Sequence, residues 1–176
     1  MLILYGINLS TFTRKVRLAL AEKDLDYRLE TAAMGSPKVR ALHPLGKIPV
    51  LEDAGITIPD SSVSIAYLEH AYPARPLYPA DAQALARALW LEEYADTRLR
   101  EVTLPFFSEN VVKPLFQGKP ADAAVLATAA VPRDHAFDYL ERYLQALLVR
   151  PKWVPIVTEE EAALQSARAR RFGVRA

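Results

Sequence analysis

The stretch Tyr72–Asp81, YPARPLYPAD, carries prolines at Pro73, Pro76 and Pro79. Proline holds φ near one value and offers no backbone N–H, so neither a helix nor a central strand runs through such a segment. The chain therefore reads as two regions, residues 1–75 and 82–176, joined by a linker at 76–81. Their patterns differ. Before the linker, short apolar runs alternate with helical periodicity, and after it the pattern is helical nearly throughout.

In the first region, Leu2 to Ile7 is an apolar run of β-formers and reads as a buried strand. Ser10, Thr11 and Thr13 offer N-caps for a helix to about Lys23, with Phe12, Val16, Ala19 and Leu20 on one face. Tyr27 to Thr31 alternates like a second strand. Gly35 to Pro44 is a loop or short helix. Ile48 to Asp53 and Thr57 to Ile58 are a third and fourth strand, and Asp53-Ala54-Gly55 turns them into an antiparallel hairpin. A helix follows from Asp60 to about Ala71, with Val63, Ala66, Tyr67 and His70 predicted to face inward. A βαβ unit demands a parallel pair with a right-handed crossover, and an added hairpin makes the sheet mixed. The second region predicts a helix over Ala82–Leu104 that Pro105 bends or ends. Asp122–Ala130 and His135–Leu148 read as one or two further helices, broken at Pro132, and a last helix runs from Glu159 to Phe172.

Composition removes several function classes. There is no cysteine, so disulfides, thiolate metal sites and a cysteine nucleophile are excluded, and a cytoplasmic setting is the simpler expectation. His43, His70 and His135 lack metal-ligand spacing, so no metal is expected. A net charge of +1 supplies no global field toward nucleic acid or an anionic membrane. Arg168, Arg170, Arg171 and Arg175 form a basic tail that suits a helix C-terminus better than a nucleic-acid site. No apolar run approaches the roughly 20 residues of a membrane span, and MLILYGINLS, without a basic leader, reads as a strand.

Three stretches taken in order, LSTFTRKVRLAL, HPLGKIPVLED and DSSVSIAYLE, resemble the glutathione transferase family, in particular its serine-type, bacterial-like members. PLYPAD and ARALWLEEYAD extend the resemblance over most of residues 1–148. It implies an α/β thioredoxin-like N-terminal domain with a mixed four-stranded sheet in the order βαβαββα, followed by an all-α helical domain. It also implies glutathione as co-substrate and a homodimer.

The resemblance assigns roles residue by residue. In the family the proline matching Pro49 follows a cis bond, and the backbone of Ile48 or Val50 would pair with the bound tripeptide like an added strand. On its own, Pro49 reads as a proline starting an edge strand. Asp60-Ser61 opens a helix whose free N–H groups and partial positive charge suit the γ-glutamyl carboxylate, while the Asp60 carboxylate would take the α-ammonium. Both are equally ordinary N-caps. Lys47 is similar to family lysines near the glutathione carboxylates. Ser10 stands where serine-type members keep the hydroxyl facing the sulfur. A free thiol with a pKa of about 8.5 is only slightly ionised at neutral pH, so a hydroxyl donor and a helix N-terminus would favour the thiolate. Ser10 is also a favoured N-cap, and Thr11 and Thr13 compete for either task. Thr11 stands where related members often have proline, a departure in the motif. The second substrate, a hydrophobic electrophile, is expected between the domains near Trp90, Tyr94, Phe106 and Phe107, residues that otherwise read as core.

Without cysteine, members that reduce mixed disulfides through their own thiol are excluded. Transfer, isomerisation and peroxide reduction through bound thiolate remain. The leading expectation is conjugation of glutathione to an electrophile; the alternative is a non-catalytic binding or interaction protein of the same fold. One feature departs further. Family members carry, deep in the second domain, a helix with a Ser/Thr-x-x-Asp cap and an apolar run. This sequence passes from LERYLQALL directly to VRPKWVPIVTEEEAAL. It reads as lacking a segment near 148/149, and an omitted segment is the expectation, to be checked against the roughly 3.8 Å Cα spacing of bonded neighbours.

Overall fold

The computed structural model describes residues 1–148 together with Pro155, Ile156, Thr158, Glu159, Ala162 and Gln165. The join at Leu148-Val149, the basic tail and most of the last expected helix lie outside the described residues. The chain divides into two compact units, Met1–Tyr78 with Arg150–Gln165, and Pro79–Val149 with Ser166–Ala176.

In the first unit, β1 (Leu2–Gly6), α1 (Thr11–Glu22), β2 (Tyr27–Thr31), α2 (Pro37–Leu42), β3 (Val50–Asp53), β4 (Ile56–Pro59) and α3 (Ser61–Ala71) follow in order. The sheet runs β2-β1-β3-β4. β1 and β2 are parallel, while β3 is antiparallel to both β1 and β4. This is the mixed four-stranded thioredoxin-like arrangement.

Strand alternation sorts side chains to two faces. Leu2, Leu4, Leu51 and Ile58 point to one side and pack with Val16 and Leu20 of α1 and Leu68 of α3. Tyr5 and Val50 point to the other and pack with Ala32 and with Val39 of α2. β3 begins at Val50, after Pro49, because proline has no N–H for the ladder. The Ile48-Pro49 peptide is cis. Ala54 (φ 48°) and Gly55 (φ 83°) are both left-handed, as a two-residue hairpin with the strands' right-handed twist requires.

The face of α3 needs correction. Ser61, Ser64, Ile65 and Leu68 are buried, whereas Val63, Ala66 and His70 are exposed and only Tyr67 of the predicted inward set is partly buried. The Ser64 hydroxyl donates to the Asp60 carbonyl at 2.6 Å, so this small polar residue can be buried with its donor satisfied. At the far end of α3 region, Tyr67 and Tyr72 both donate to Asp53 Oδ2, at 2.9 and 2.6 Å. The bond to Asp53 pushes the Tyr72 phenol up to about 12.

The second unit contains α4 (Ala82–Tyr94), α5 (Arg100–Phe107) and α6 (Ala123–Leu148). Wider π-helical stretches at Ala95–Leu99 and Ser108–Gln117 lie between α4 and α5 and beyond α5. Pro105, expected to bend or end its helix, lies inside α5 and does not end it, and Pro132, expected to break its helix, lies inside α6. Proline's φ is helical, so it removes one hydrogen bond without forbidding the conformation, and packing that buries Val102, Ala129, Ala136 and Leu140 offsets the loss. The buried Glu109 accepts from Lys113 Nζ at 2.7 Å and from the Asp122 N–H at 2.8 Å, tying the second π-helical stretch to the start of α6. Among the described residues, no helix is long and apolar enough to cross a membrane.

Candidate functional site

Register places the site. Tyr5 pairs with Val50, and Val50 pairs with Pro59. The chain leaving β1, the chain entering β3 and the chain leaving β4 therefore lie at one end of the sheet. Ser10, Lys47–Pro49 and Asp60-Ser61 are the residues on those three connections.

Ser10 is half-buried and caps α1, its Oγ accepting the Thr13 N–H at 3.2 Å. The hydroxyl hydrogen is not used by that bond. The Ser10 N–H donates to the Ile7 carbonyl at 3.0 Å, closing a tight turn through Asn8 and Leu9. Thr11 is exposed on the first turn of α1. Thr13 is fully buried, and its Oγ1 has no hydrogen-bond partner among the described residues. It packs on Gly6, where an added Cβ would stand 2.3 Å from Thr13 Oγ1. Glycine at position 6 thus lets α1 approach the sheet. Tyr5 is committed to the sheet: its hydroxyl donates to Glu52 Oε2 at 2.7 Å, a bond that raises the phenol's pKa.

Asp60 caps α3. Oδ1 accepts the N–H groups of Ser62 and Val63 at 2.8 and 3.1 Å. Its backbone sits at φ 108°, a region that favours glycine and costs other residues on the order of 1–3 kcal/mol. Ser61 is buried beside it. Lys47 is exposed, Ile48 half-buried, and Pro49 and Val50 buried.

Two further side chains bear on this end of the unit. Lys15 of α1 donates to Ser62 Oγ at 2.7 Å, which brings an ammonium to the first turn of α3. His43 is buried, and its Nδ1 accepts the Leu45 N–H at 2.9 Å, pinning the loop that leads to Lys47. Nothing in the sequence singled out Lys15; His43, which lacks metal-ligand spacing there, is a structural histidine.

The glutathione S-transferase N-terminal domain matches residues 4–76. Glutathione S-transferase 3 of Zea mays is 33% identical over 148 residues, 80% of this chain and 66% of the relative. A glutathione S-transferase of Pseudomonas putida is 32% identical over 142 residues, 78% of this chain and 64% of the relative. The chain belongs to the glutathione S-transferase family. It spans less than two-thirds of the length of these relatives. Among solved structures, a glutathione S-transferase from Rhodospirillum rubrum superposes with a TM-score of 0.74 at 27% identity, covering 90% of this chain and 92% of that one.

Within the helical unit of this glutathione S-transferase family member, the four expected substrate residues fall into separate groups. Trp90 and Tyr94 stack at 5.9 Å, Tyr94 and Tyr139 at 4.9 Å, and the Trp90 Nε1–H donates to the Tyr139 hydroxyl at 2.9 Å. Phe106 lies under the Arg133 guanidinium at 4.4 Å, and Phe107 is exposed. A cavity of about 510 Å³ in the same unit is lined by Val102, Pro105, Ala124, Thr128, Ala129 and Pro132 among others, and by none of those four.

Proposed function

We propose that this chain is a glutathione-dependent transferase that stabilises the glutathione thiolate and conjugates it to a hydrophobic electrophile. The observation that carries this reading is the gathering of Ser10, Ile48-Pro49 and Asp60-Ser61 on connections at one end of the sheet. Asp60 and the N-terminus of α3 take the γ-glutamyl group: the carboxylate meets the partial positive charge of the helix start, and the ammonium meets Asp60. The Lys15 ammonium on Ser62 adds positive charge there. The backbone at Ile48 and Val50 pairs with the tripeptide, and Lys47 lies toward a ligand carboxylate.

Ser10 donates its remaining hydrogen to the sulfur. The thiol proton leaves to solvent. The thiolate then forms the carbon–sulfur bond as the electrophile's leaving group departs or, where it adds to a double bond, as the π electrons move to the far carbon, which takes a proton from solvent. Lowering the thiol pKa by two units corresponds to about 2.7 kcal/mol. The buried Thr13 and the exposed Thr11 support Ser10 as the hydroxyl in reach. The protein acts as a soluble cytoplasmic homodimer and needs no metal.

The test is retention on immobilised glutathione, elution by free glutathione, and a panel of electrophiles, peroxides and isomerisable substrates. Retention with turnover on an electrophile is expected. Retention without any turnover would favour the non-catalytic binding protein, and no retention would remove glutathione from the reading.

A further inference from the structure

Arg17 lies in the middle of α1, only 4% exposed. A buried guanidinium is costly unless its donors are matched, and this one is shared among three distant parts of the chain. Nε donates to the Tyr27 hydroxyl at 2.9 Å, at the start of β2. Nη1 donates to Asn8 Oδ1 at 3.3 Å. Nη2 donates to Glu159 Oε2, which belongs to the same compact unit although it stands far along the chain.

Asn8 is the telling partner. It lies inside the turn that the Ser10 N–H closes on the Ile7 carbonyl. That turn delivers Ser10 to the cap position of α1, where Oγ accepts from Thr13. A turn residue held by its side chain has fewer conformations to visit, and the hydroxyl two residues later inherits the restriction. The planar fork of arginine can serve Tyr27, Asn8 and Glu159 together; a lysine ammonium has no such preset geometry.

We propose that Arg17 is a positioning residue for Ser10: anchored by Tyr27 and Glu159, it clamps the Ile7–Ser10 turn through Asn8. Residue 159 thereby influences the hydroxyl assigned to the thiol without touching glutathione. The proposal rests on the reading of Ser10 given above.

The experiment compares the full chain with N8A, N8D, E159A and R17K, none of which alters a residue assigned to glutathione or the electrophile. Four quantities are read: amide hydrogen exchange at Ser10 and Thr13, the ultraviolet titration of the bound glutathione thiol, glutathione affinity, and kcat against KM. N8A, R17K and E159A should each speed exchange at Ser10 and Thr13 by up to about tenfold. The bound thiol pKa should rise by about half a unit to one unit, and kcat should fall about three- to tenfold. Glutathione affinity and its KM should stay within about twofold, because α3 is untouched. N8D, which still accepts from Arg17, should restore wild-type values.

A purely structural role would lower the melting temperature without splitting kcat from KM or moving the thiol titration. N8A with wild-type exchange and titration overturns the proposal. If the wild-type protein binds glutathione but its thiol titrates as in free solution, the Ser10 reading fails instead. The exchange data then decide alone whether Arg17 holds the turn. Should R17K not fold, N8A and E159A carry the comparison.

Discussion

Asp60 holds a backbone conformation that glycine would adopt more easily, at φ 108°. Its side chain offsets that strain by accepting from Ser62 and Val63, and its carbonyl accepts the Ser64 N–H and hydroxyl. Asp60→Ala removes the cap and the negative charge together, and should weaken glutathione binding by about 1.5–3 kcal/mol, the range for hydrogen bonds to charged groups. Asp60→Asn separates the two effects. It keeps an acceptor for the cap, so thermal stability should hold while affinity still falls; calorimetry with unchanged affinity for both variants would remove Asp60 from the site. Ser10→Ala acts differently. Losing the cap should cost about 1 kcal/mol of stability. Turnover should drop about ten- to hundredfold with affinity nearly intact, as expected for a donor that acts on the thiolate. An unchanged rate would turn attention to Thr11.

At the scale of elements, the segment after α3 is held more firmly than its prolines suggest. Glu69 of α3 accepts from the buried Lys23 of the α1 C-cap and from the N–H groups of Leu77 and Tyr78 at 3.0 and 3.2 Å. Lys23 also donates to the Arg75 carbonyl at 2.8 Å, and Arg75 pairs with Asp24. Burial by itself would raise the Glu69 pKa. The hydrogen bonds from Lys23, Leu77 and Tyr78, with the Lys23 charge, outweigh it and hold the carboxyl below the ordinary range. A depressed carboxyl stabilises the fold fully above its unfolded value, about 4.3, and the contribution is lost as pH falls through the lower folded value. Urea midpoints of wild type and Glu69→Gln should therefore differ most at neutral pH and converge in acid. A gap that persists undiminished to about pH 2 would contradict this role. The sequence marked Tyr72–Asp81 as a linker through its prolines, but a glutamate at position 69 carries no sign of where its acceptors will point.

For the whole molecule, the burial of α4 bears on assembly. None of its residues is buried in the single chain, and Leu89 and Trp90 are exposed. Leu104, Phe107 and Phe116 of the same unit are exposed as well. Exposed apolar residues that join into one patch commonly mark a surface that a partner covers. The expected partner is a second copy. Sedimentation at micromolar concentration should show a species of twice 19.6 kDa. A single species at that mass itself would count against the homodimer.

What was legible in the sequence is what neighbouring residues decide among themselves. Tyr27–Thr31 alternates and is β2, Ala54-Gly55 turns the hairpin, and Ser10 and Asp60 cap the helices they precede. Each of these depends on contacts a few residues apart. Tertiary structure alone decided which face of α3 is buried: Ser61, Ser64, Ile65 and Leu68 turn inward and Val63 does not. It decided that α6 continues through Pro132, because packing can offset one lost hydrogen bond. It also brought Asn8, Tyr27 and Glu159 to a single guanidinium at Arg17. A buried charge is satisfied by whichever groups the fold delivers to it, and those groups are distant in sequence.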